Sequence, residues 1–259
     1  MPGIKQLLDT AQYAAIEAGK AIMQVYVAGE FSIEKKEDES PLTIADRNAH
    51  RVITECLGNT NLPILSEEGI NIDYAERKNW EYFWMIDPLD GTRELINKVN
   101  EFTVNIALVR GDTAIAGVVY LPGKDVLYYG SKETGVYKIE MGVSRQILPL
   151  PARTQFDDLR QKERLTIVAS RSHLTSETKD FIDQFQNVTL KSSGSSLKFM
   201  MLLENRADIY PRLGRTMEWD TAAAHAILNA SNRGVYLLHL KSELSYNKPD
   251  LANPFFVAF

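Results

Sequence analysis

Apolar residues recur at three-to-four spacing over residues 4–28, where Ile4, Leu7, Leu8, Ala11, Ala14, Ala15, Ala18, Ile22 and Val25 share one face; this pattern predicts an amphipathic helix riding on a sheet. A second helical pattern covers 44–58 and is expected to close at Gly58 as its C-terminal cap. Between them, Phe31–Ser40 carries Glu34, Lys35, Lys36, Glu37, Asp38 and Glu39 and reads as a solvated strand-to-loop connection. Leu62–Ser66 reads as a short buried strand. From residue 82 the pattern changes to strands at Phe83–Asp87, Phe102–Arg110, Ile115–Leu121, Val126–Tyr129 and Val136–Glu140, which together predict a mostly antiparallel sheet. Periodicity fades between Gly142 and Lys162, so a domain junction is placed near 145–160. Beyond it the chain alternates: strand Leu165–Ala169, helix 175–186, strand Val188–Leu190, helix 196–206, strand Ala207–Pro211, helix 220–230 and a strand near 234–239. That alternation implies a second sheet flanked by helices.

The 259 residues suffice for two modest sub-domains, taken here as 1–150 and 151–259. With 44% hydrophobic and 24% charged residues the chain can bury a core, which excludes wholesale disorder. The 29 Lys+Arg against 34 Asp+Glu give a net charge of −5, which argues against a nucleic-acid polymer as partner. A lone cysteine, Cys56, excludes an internal disulfide and a multi-thiolate metal site and is read as core packing. No run reaches the roughly 18 apolar residues of a membrane span. A cytoplasmic location follows as the expectation, with peripheral contact to the cytoplasmic face of the inner membrane left open. Oligomeric state is not legible.

Chemistry concentrates where apolar strands run into acids. In Trp84-Met85-Ile86-Asp87-Pro88-Leu89-Asp90-Gly91-Thr92, two carboxylates flank a proline and a glycine and hydroxyl follow. Pro-x-Asp-Gly is also an ordinary turn. A second acid so close to a strand-end acid, however, crowds negative charge unless a cation is present. Ile64-Leu65-Ser66-Glu67-Glu68 is another apolar run ending in acids, and Glu218-Trp219-Asp220 opens a helix where an Asp can serve either as a cap or as a ligand. Hard oxygen donors of this kind suit Mg²⁺. EF-hand, aspartyl-phosphate, P-loop and zinc-hydrolase patterns are missing, and His50, His173, His225 and His239 read as packing or surface residues. Gly194-Ser195-Ser196-Leu197-Lys198 lacks the last glycine of a nucleophile elbow.

In order and spacing, Ser66-Glu67-Glu68, Asp87-Pro88-Leu89-Asp90-Gly91-Thr92 and Trp219-Asp220-Thr221-Ala222-Ala223 resemble the lithium-sensitive, Mg²⁺-dependent phosphatases of the inositol monophosphatase superfamily. Ser40-Pro41-Leu42-Thr43-Ile44-Ala45-Asp46, Glu101-Phe102-Thr103-Val104-Asn105-Ile106-Ala107, Gly194-Ser195-Ser196-Leu197-Lys198-Phe199 and Tyr210-Pro211-Arg212 are similar to the bacterial CysQ-type 3′(2′),5′-bisphosphate nucleotidase branch.

The resemblance implies a layered αβαβα sandwich, α+β or α/β in class, with two sub-domains. It implies two or three Mg²⁺ ions held by Glu67, Asp87, the Leu89 carbonyl, Asp90 and Asp220. Thr92, with Glu67 or Asp46, would activate the attacking water. The substrate would be contacted by Glu67, Leu89, Asp90, Gly91, Thr92 and Asp220, with the backbone N–H groups of Gly91 and Thr92 cradling the scissile phosphate. Ser195 and Ser196 at a helix start, Lys198 and Arg212 would lie toward the second phosphate or the nucleotide, and Lys36 matches a family position near the active-site loop. The expected reaction is removal of the 3′-phosphate of adenosine 3′,5′-bisphosphate, or of its phosphosulfate analogue, in sulfur assimilation. An inositol or sugar phosphatase using the same metal site is the alternative, and a non-catalytic scaffold is the third reading.

Overall fold

The computed structural model describes residues 2–35, 41–170 and 175–259; Lys36 and His173 lie outside the described residues. Helices α1 (Ile4–Ala28) and α2 (Ile44–Gly58) form one outer layer. α1 ends where Gly29 turns left-handed at φ 76° and its N–H returns to the Val25 carbonyl at 2.9 Å. α2 starts from Thr43, whose Oγ1 accepts the Ala45 N–H at 3.1 Å while Asp46 accepts the Thr43 N–H at 2.7 Å. Gly58 is not the left-handed cap the sequence suggested: it is the last helical residue, and the positive φ of 55° falls on Asn61. The hairpin β1 (Glu34–Lys35) and β2 (Pro41–Leu42) brackets the charged stretch.

The second layer is a sheet in the order β3-β4-β5-β6-β7-β8-β9, seven strands among the described residues. They are β3 (Ile64–Ser66), β4 (Tyr82–Asp90), β5 (Thr103–Arg110), β6 (Thr113–Leu121), β7 (Val126–Ser131), β8 (Gly135–Glu140) and β9 (Val143–Ile147). All neighbours are antiparallel except β3 and β4, which are parallel. β9 falls where a junction was expected; its Ser144, Arg145 and Gln146 are polar because it is an exposed edge strand. The strands are apolar on both sides because both are covered. Trp84, Ile86, Val104, Ile106 and Val118 pack on α1 and α2, while Phe83, Met85, Ala107, Val109 and Val119 pack on the opposite layer.

That layer consists of α7 (Leu197–Leu203) and α8 (Glu218–Ala230). Its far side meets β10 (Leu165–Ser170), paired in parallel with β11 (Val188–Ser193), and an antiparallel sheet of β12 (Tyr210–Arg212), β14 (Phe256–Ala258) and β13 (Val235–Leu237), in that order. The β-α alternation read from the sequence holds in element order, but the one sheet it implied is two small sheets among the described residues, linked by the bridge Ile167 to Ile209. α5 (Phe156–Arg160) and α6 (Ser176–Ile182) close the outer face around Ile167, Ile209, Val257 and Phe259. The result is the five-layer α+β arrangement helices, sheet, helices, sheets, helices. Two short helices, α3 (Tyr74–Arg77) and α4 (Thr92–Ile96), sit in the connections of the first sheet. Among the described residues no helix is long and apolar enough to cross a membrane.

α8 approaches the sheet closely because β6 offers it no side chain at Gly117, where an added Cβ would stand 2.1 Å from the Ala223 carbonyl oxygen. The obstacle is backbone, so the whole helix must move. Gly117→Ala is expected to cost about 1–3 kcal/mol, the range for overpacking a tight core. A thermal melt followed by circular dichroism should show the midpoint falling by several degrees.

Candidate active site

Because β3 and β4 run parallel, with Ser66 opposite Ile86, both strands release their next residue, Glu67 and Asp87, at the same end of the sheet. The Glu67 N–H fixes this by donating to the Ile86 carbonyl at 3.2 Å. β4 then continues past Pro88 to Asp90, with Asp87 opposite Asn105 and Asp90 opposite Thr103. One strand advances three residues while its partner advances two, which is a β-bulge. In a regular strand residues three apart point to opposite faces. The extra residue returns Asp90 to the side of Asp87, and the Asp87 carboxylate braces the bulge by accepting the Leu89 N–H at 3.0 Å.

Gly91 follows at φ 96°, a left-handed turn that starts α4 at Thr92. A Cβ there would meet Ser195 Oγ at 2.3 Å, so this glycine serves both the turn and the close approach of the segment before α7. The Thr92 hydroxyl donates to Asp46 Oδ1 at 2.9 Å, and the other Asp46 oxygen is held by the Thr43 N–H and hydroxyl at 2.7 and 2.6 Å. Asp220 arrives from the first turn of α8, where its carboxylate accepts the Met217 N–H at 2.9 Å. It is thus a helix-end acceptor and a cleft carboxylate together.

These groups line a cleft of about 340 Å³, whose walls include Glu67, Asp87, Leu89, Asp90, Gly91, Thr92 and Asp220 together with Ser195, Ser196, Lys198 and Arg212. Asp46 stands behind Thr92 and is buried. The structure therefore brings together every described residue singled out from the sequence.

The two serines are placed differently from expectation. The Ser195 hydroxyl donates inward, to the backbone carbonyls of Asp90 and Glu101 at 2.8 and 2.7 Å, and Ser196 Oγ lies 3.0 Å from the Asp220 carbonyl and 3.3 Å from Asp90 Oδ2. They tie the acid-bearing segments together instead of offering free donors to a ligand. Lys198 is buried, with Nζ donating to the Ser195 carbonyl at 2.7 Å and reaching the Ser193 carbonyl at 3.4 Å. An ammonium has three protons, so one remains for the cleft. Arg212 donates Nη2–H to the Arg215 carbonyl at 3.0 Å, while its buried Nε has no protein partner among the described residues.

Sequence reasoning assigned no role to Glu101, Thr103 or Asn105, although all three stand in a quoted segment. Glu101 accepts the Gly194 N–H at 2.8 Å, and Thr103 Oγ1 lies 3.5 Å from Asp90 Oδ2. The usable signal was two polar residues, Thr103 and Asn105, inside an otherwise apolar central strand.

Electrostatics mark the acid cluster as uncompensated. Burial pushes the Asp87 carboxyl well above the usual carboxylate range, and Glu67, Asp90 and Asp220 raise it further, in that order. Asp220 is raised in the same way, first by burial, then by Asp90 and Glu67. Asp90 is raised to about 6, chiefly by burial, with Lys198 opposing and Glu94 and Glu67 adding. Burial lowers Lys198 to about 8. Crowded oxygen-only donors of this kind fit a hard divalent cation. Among the described residues no group of three or more acid, imidazole or thiol side chains is placed to hold a metal ion on its own. Mg²⁺ does not need one, since it takes one or two carboxylates and completes its octahedron with water and phosphate oxygens.

A model described as the inositol monophosphatase family matches residues 4–253. The 3′(2′),5′-bisphosphate nucleotidase CysQ of Salmonella typhimurium is 41% identical over 233 residues, covering 89% of this chain and 90% of the relative. The same-named protein of Haemophilus influenzae is 35% identical over 259 residues, covering 98% and 92%. The crystal structure of CysQ from Bacteroides thetaiotaomicron superposes with a TM-score of 0.85 at 41% identity, covering 98% of this chain and 97% of that one. A Thermotoga maritima IMPase superposes at 0.77 with 22% identity, covering 97% and 91%, and shares the fold.

A raised carboxyl makes folding favour the protonated form, so the stability Asp90 contributes is fully present below its unfolded value near 3.8 and is lost as pH rises through about 6. In chelator-treated protein the thermal midpoint should therefore climb as pH is lowered from 7 toward 5. Asp90→Asn should raise the midpoint at pH 7.5 and flatten that pH dependence; a lower midpoint would refute the repulsion.

Proposed function

The chain belongs to the inositol monophosphatase family, and from that premise we propose that it is a Mg²⁺-dependent 3′(2′),5′-bisphosphate nucleotidase. It removes the 3′-phosphate of adenosine 3′,5′-bisphosphate, giving AMP and inorganic phosphate and clearing a by-product of sulfate assimilation. The observation that carries this reading is the convergence of Glu67, Asp87, Asp90 and Asp220 on one cleft that Lys198 and Arg212 also line. The 41% identity to a relative named for that activity supports the choice of substrate.

Glu67, Asp87, the Leu89 carbonyl, Asp90 and Asp220 would hold the Mg²⁺ ions. When bound, these lower the pKa of the attacking water and neutralise the charge developing on the phosphate and leaving oxygens. The remaining work belongs to the chain. The Thr92 hydroxyl directs its proton to Asp46, so its lone pairs are available to accept a proton from the attacking water. As that proton passes to Thr92, the Thr92 proton moves to Asp46 Oδ1, whose partner oxygen is already fixed by Thr43. This pairing supports Asp46, ahead of Glu67, as the acid working with Thr92. The water oxygen bonds to phosphorus, the phosphorus–3′-oxygen bond breaks, and the 3′-oxygen takes a proton from solvent. Gly91 and Thr92, at the first turn of α4, offer backbone N–H groups to the scissile phosphate. Lys198 and Arg212 face the second phosphate, where Arg supplies a planar fork of donors and Lys a compact charge.

Offered adenosine 3′,5′-bisphosphate and inositol 1-phosphate in parallel with Mg²⁺, the purified protein should release phosphate from the nucleotide with a kcat/KM at least about a hundredfold higher, roughly what unpaired buried cations cost when the second phosphate is missing. A preference for the inositol ester would overturn the substrate choice in favour of an inositol or sugar phosphatase. Thr92→Ala should lower kcat by about a hundredfold or more, as expected for loss of proton transfer, with Thr92→Ser recovering most of it. Equal loss in both variants would count against the Thr92–Asp46 route.

A further inference from the structure

α8 carries Thr221, His225 and Asn229 at intervals of four, so they stack along one side of the helix. Thr221 lines the cleft next to Asp220. His225 and Tyr246, 3% and 2% exposed, form the buried middle of a column of polar groups that starts there. The Tyr246 hydroxyl lies 3.5 Å from Thr221 Oγ1 and 2.8 Å from His225 Nδ1, and His225 Nε2 lies 2.7 Å from the Glu243 carboxylate. Asn229 Nδ2 donates to the same Glu243 oxygen at 2.9 Å, Arg153 pairs with the other, and Arg153 Nε donates to the Tyr236 hydroxyl at 2.6 Å. His225 is a packed residue, as the sequence suggested, and both of its ring nitrogens also have hydrogen-bond partners.

The other flank of the same helical turn is held by the same segment. The buried Glu218 carboxylate accepts the Asn247 N–H at 2.5 Å and the Lys248 N–H at 3.0 Å, and pairs with the Lys248 ammonium. Asn247 is anchored in turn by the buried Arg77, through Nη1 to Oδ1 at 2.9 Å and Nδ2 to the Arg77 carbonyl at 2.8 Å. Residues 243–248 thus meet α8 at Glu218 and Thr221, in the turn that carries Asp220, and again at His225 and Asn229 further along. The first-turn bonds fix the backbone on which Asp220 stands.

We infer that segment 243–248 is a positioning clamp for Asp220, and that the column Glu243–His225–Tyr246–Thr221 sets how tightly the cleft holds its cation. The inference rests on the reading of Asp220 as a cation ligand. None of the column residues except Thr221 lines the cleft, so His225, Tyr246 and Glu243 act as positioning residues. Outer partners of this kind change cation affinity by about tenfold or more when lost.

Tyr246→Phe keeps the ring and removes the hydroxyl that joins His225 to Thr221. Melting the substrate-free protein against increasing Mg²⁺ should show the concentration for half-maximal stabilisation rising about tenfold in this variant. In turnover assays the Mg²⁺ requirement should rise equally, with kcat at saturating Mg²⁺ within about twofold of wild type. Thr221→Val, which also removes the bonds of its hydroxyl to Asn253 and the Glu218 carbonyl, should raise the Mg²⁺ requirement too, and in the double variant the two effects should not add in full, because both variants lose the Tyr246–Thr221 contact. Tyr120→Phe, which removes a hydroxyl bonded to Asp125 at 2.9 Å on the α1 side of the sheet, serves as the stability control. It should lower the midpoint and leave the Mg²⁺ response unchanged. If wild type shows a Mg²⁺ response and Tyr246→Phe merely lowers the midpoint, as the control does, the clamp is overturned. If wild type itself shows no Mg²⁺ stabilisation, the reading of the acid cluster falls, and the clamp with it.

Discussion

Repulsion among carboxylates is the constraint around which this molecule is arranged. Glu67, Asp87, Asp90 and Asp220 come from three separate parts of the chain and meet in one cleft, where burial and neighbouring acids push the carboxyls of the three aspartates upward. Nothing in that cluster favours folding by itself. Backbone geometry must force it, and the devices that do so are specific: a parallel strand pair aligns Glu67 with Asp87, a bulge returns Asp90 to their side, and a helix start presents Asp220. The apolar layers on both faces of the first sheet supply the stability that this arrangement draws down.

Inward-turned polar side chains give the walls their rigidity. Ser195 and Ser196 bind the backbone of the two acid segments to each other, and Thr43 pins Asp46 behind Thr92. A side chain that donates to backbone does not hop between rotamers to suit a ligand, so the cleft keeps its shape before anything enters it. The cost of placing catalytic groups within fractions of an ångström is met during folding.

The acids, the proline and the glycine of 87–92 were legible in sequence because strand-end carboxylates contradict the apolar pattern leading into them. The two long helices at 4–28 and 44–58 were legible for the opposite reason, an unbroken periodicity. What escaped depends on long-range pairing. β9 is polar because it is an edge, and β14 is only three residues long; neither carries a period that its own sequence could announce. The inward aim of Ser195 follows from the approach of Gly91, more than a hundred residues earlier. His225 owes its partners to a loop about twenty residues downstream that has no regular pattern.

The strand formed by residues 256–258 lies between 210–212 and 235–237 in its small sheet. During synthesis the chain emerges from its N-terminal side, so the two outer strands wait unpaired until this middle one arrives. Arg212, which lines the cleft, therefore gains its strand partner only once Phe256 has been made. A product truncated ahead of Phe256 would be left with two open strand edges, one of them carrying a residue of the cleft wall.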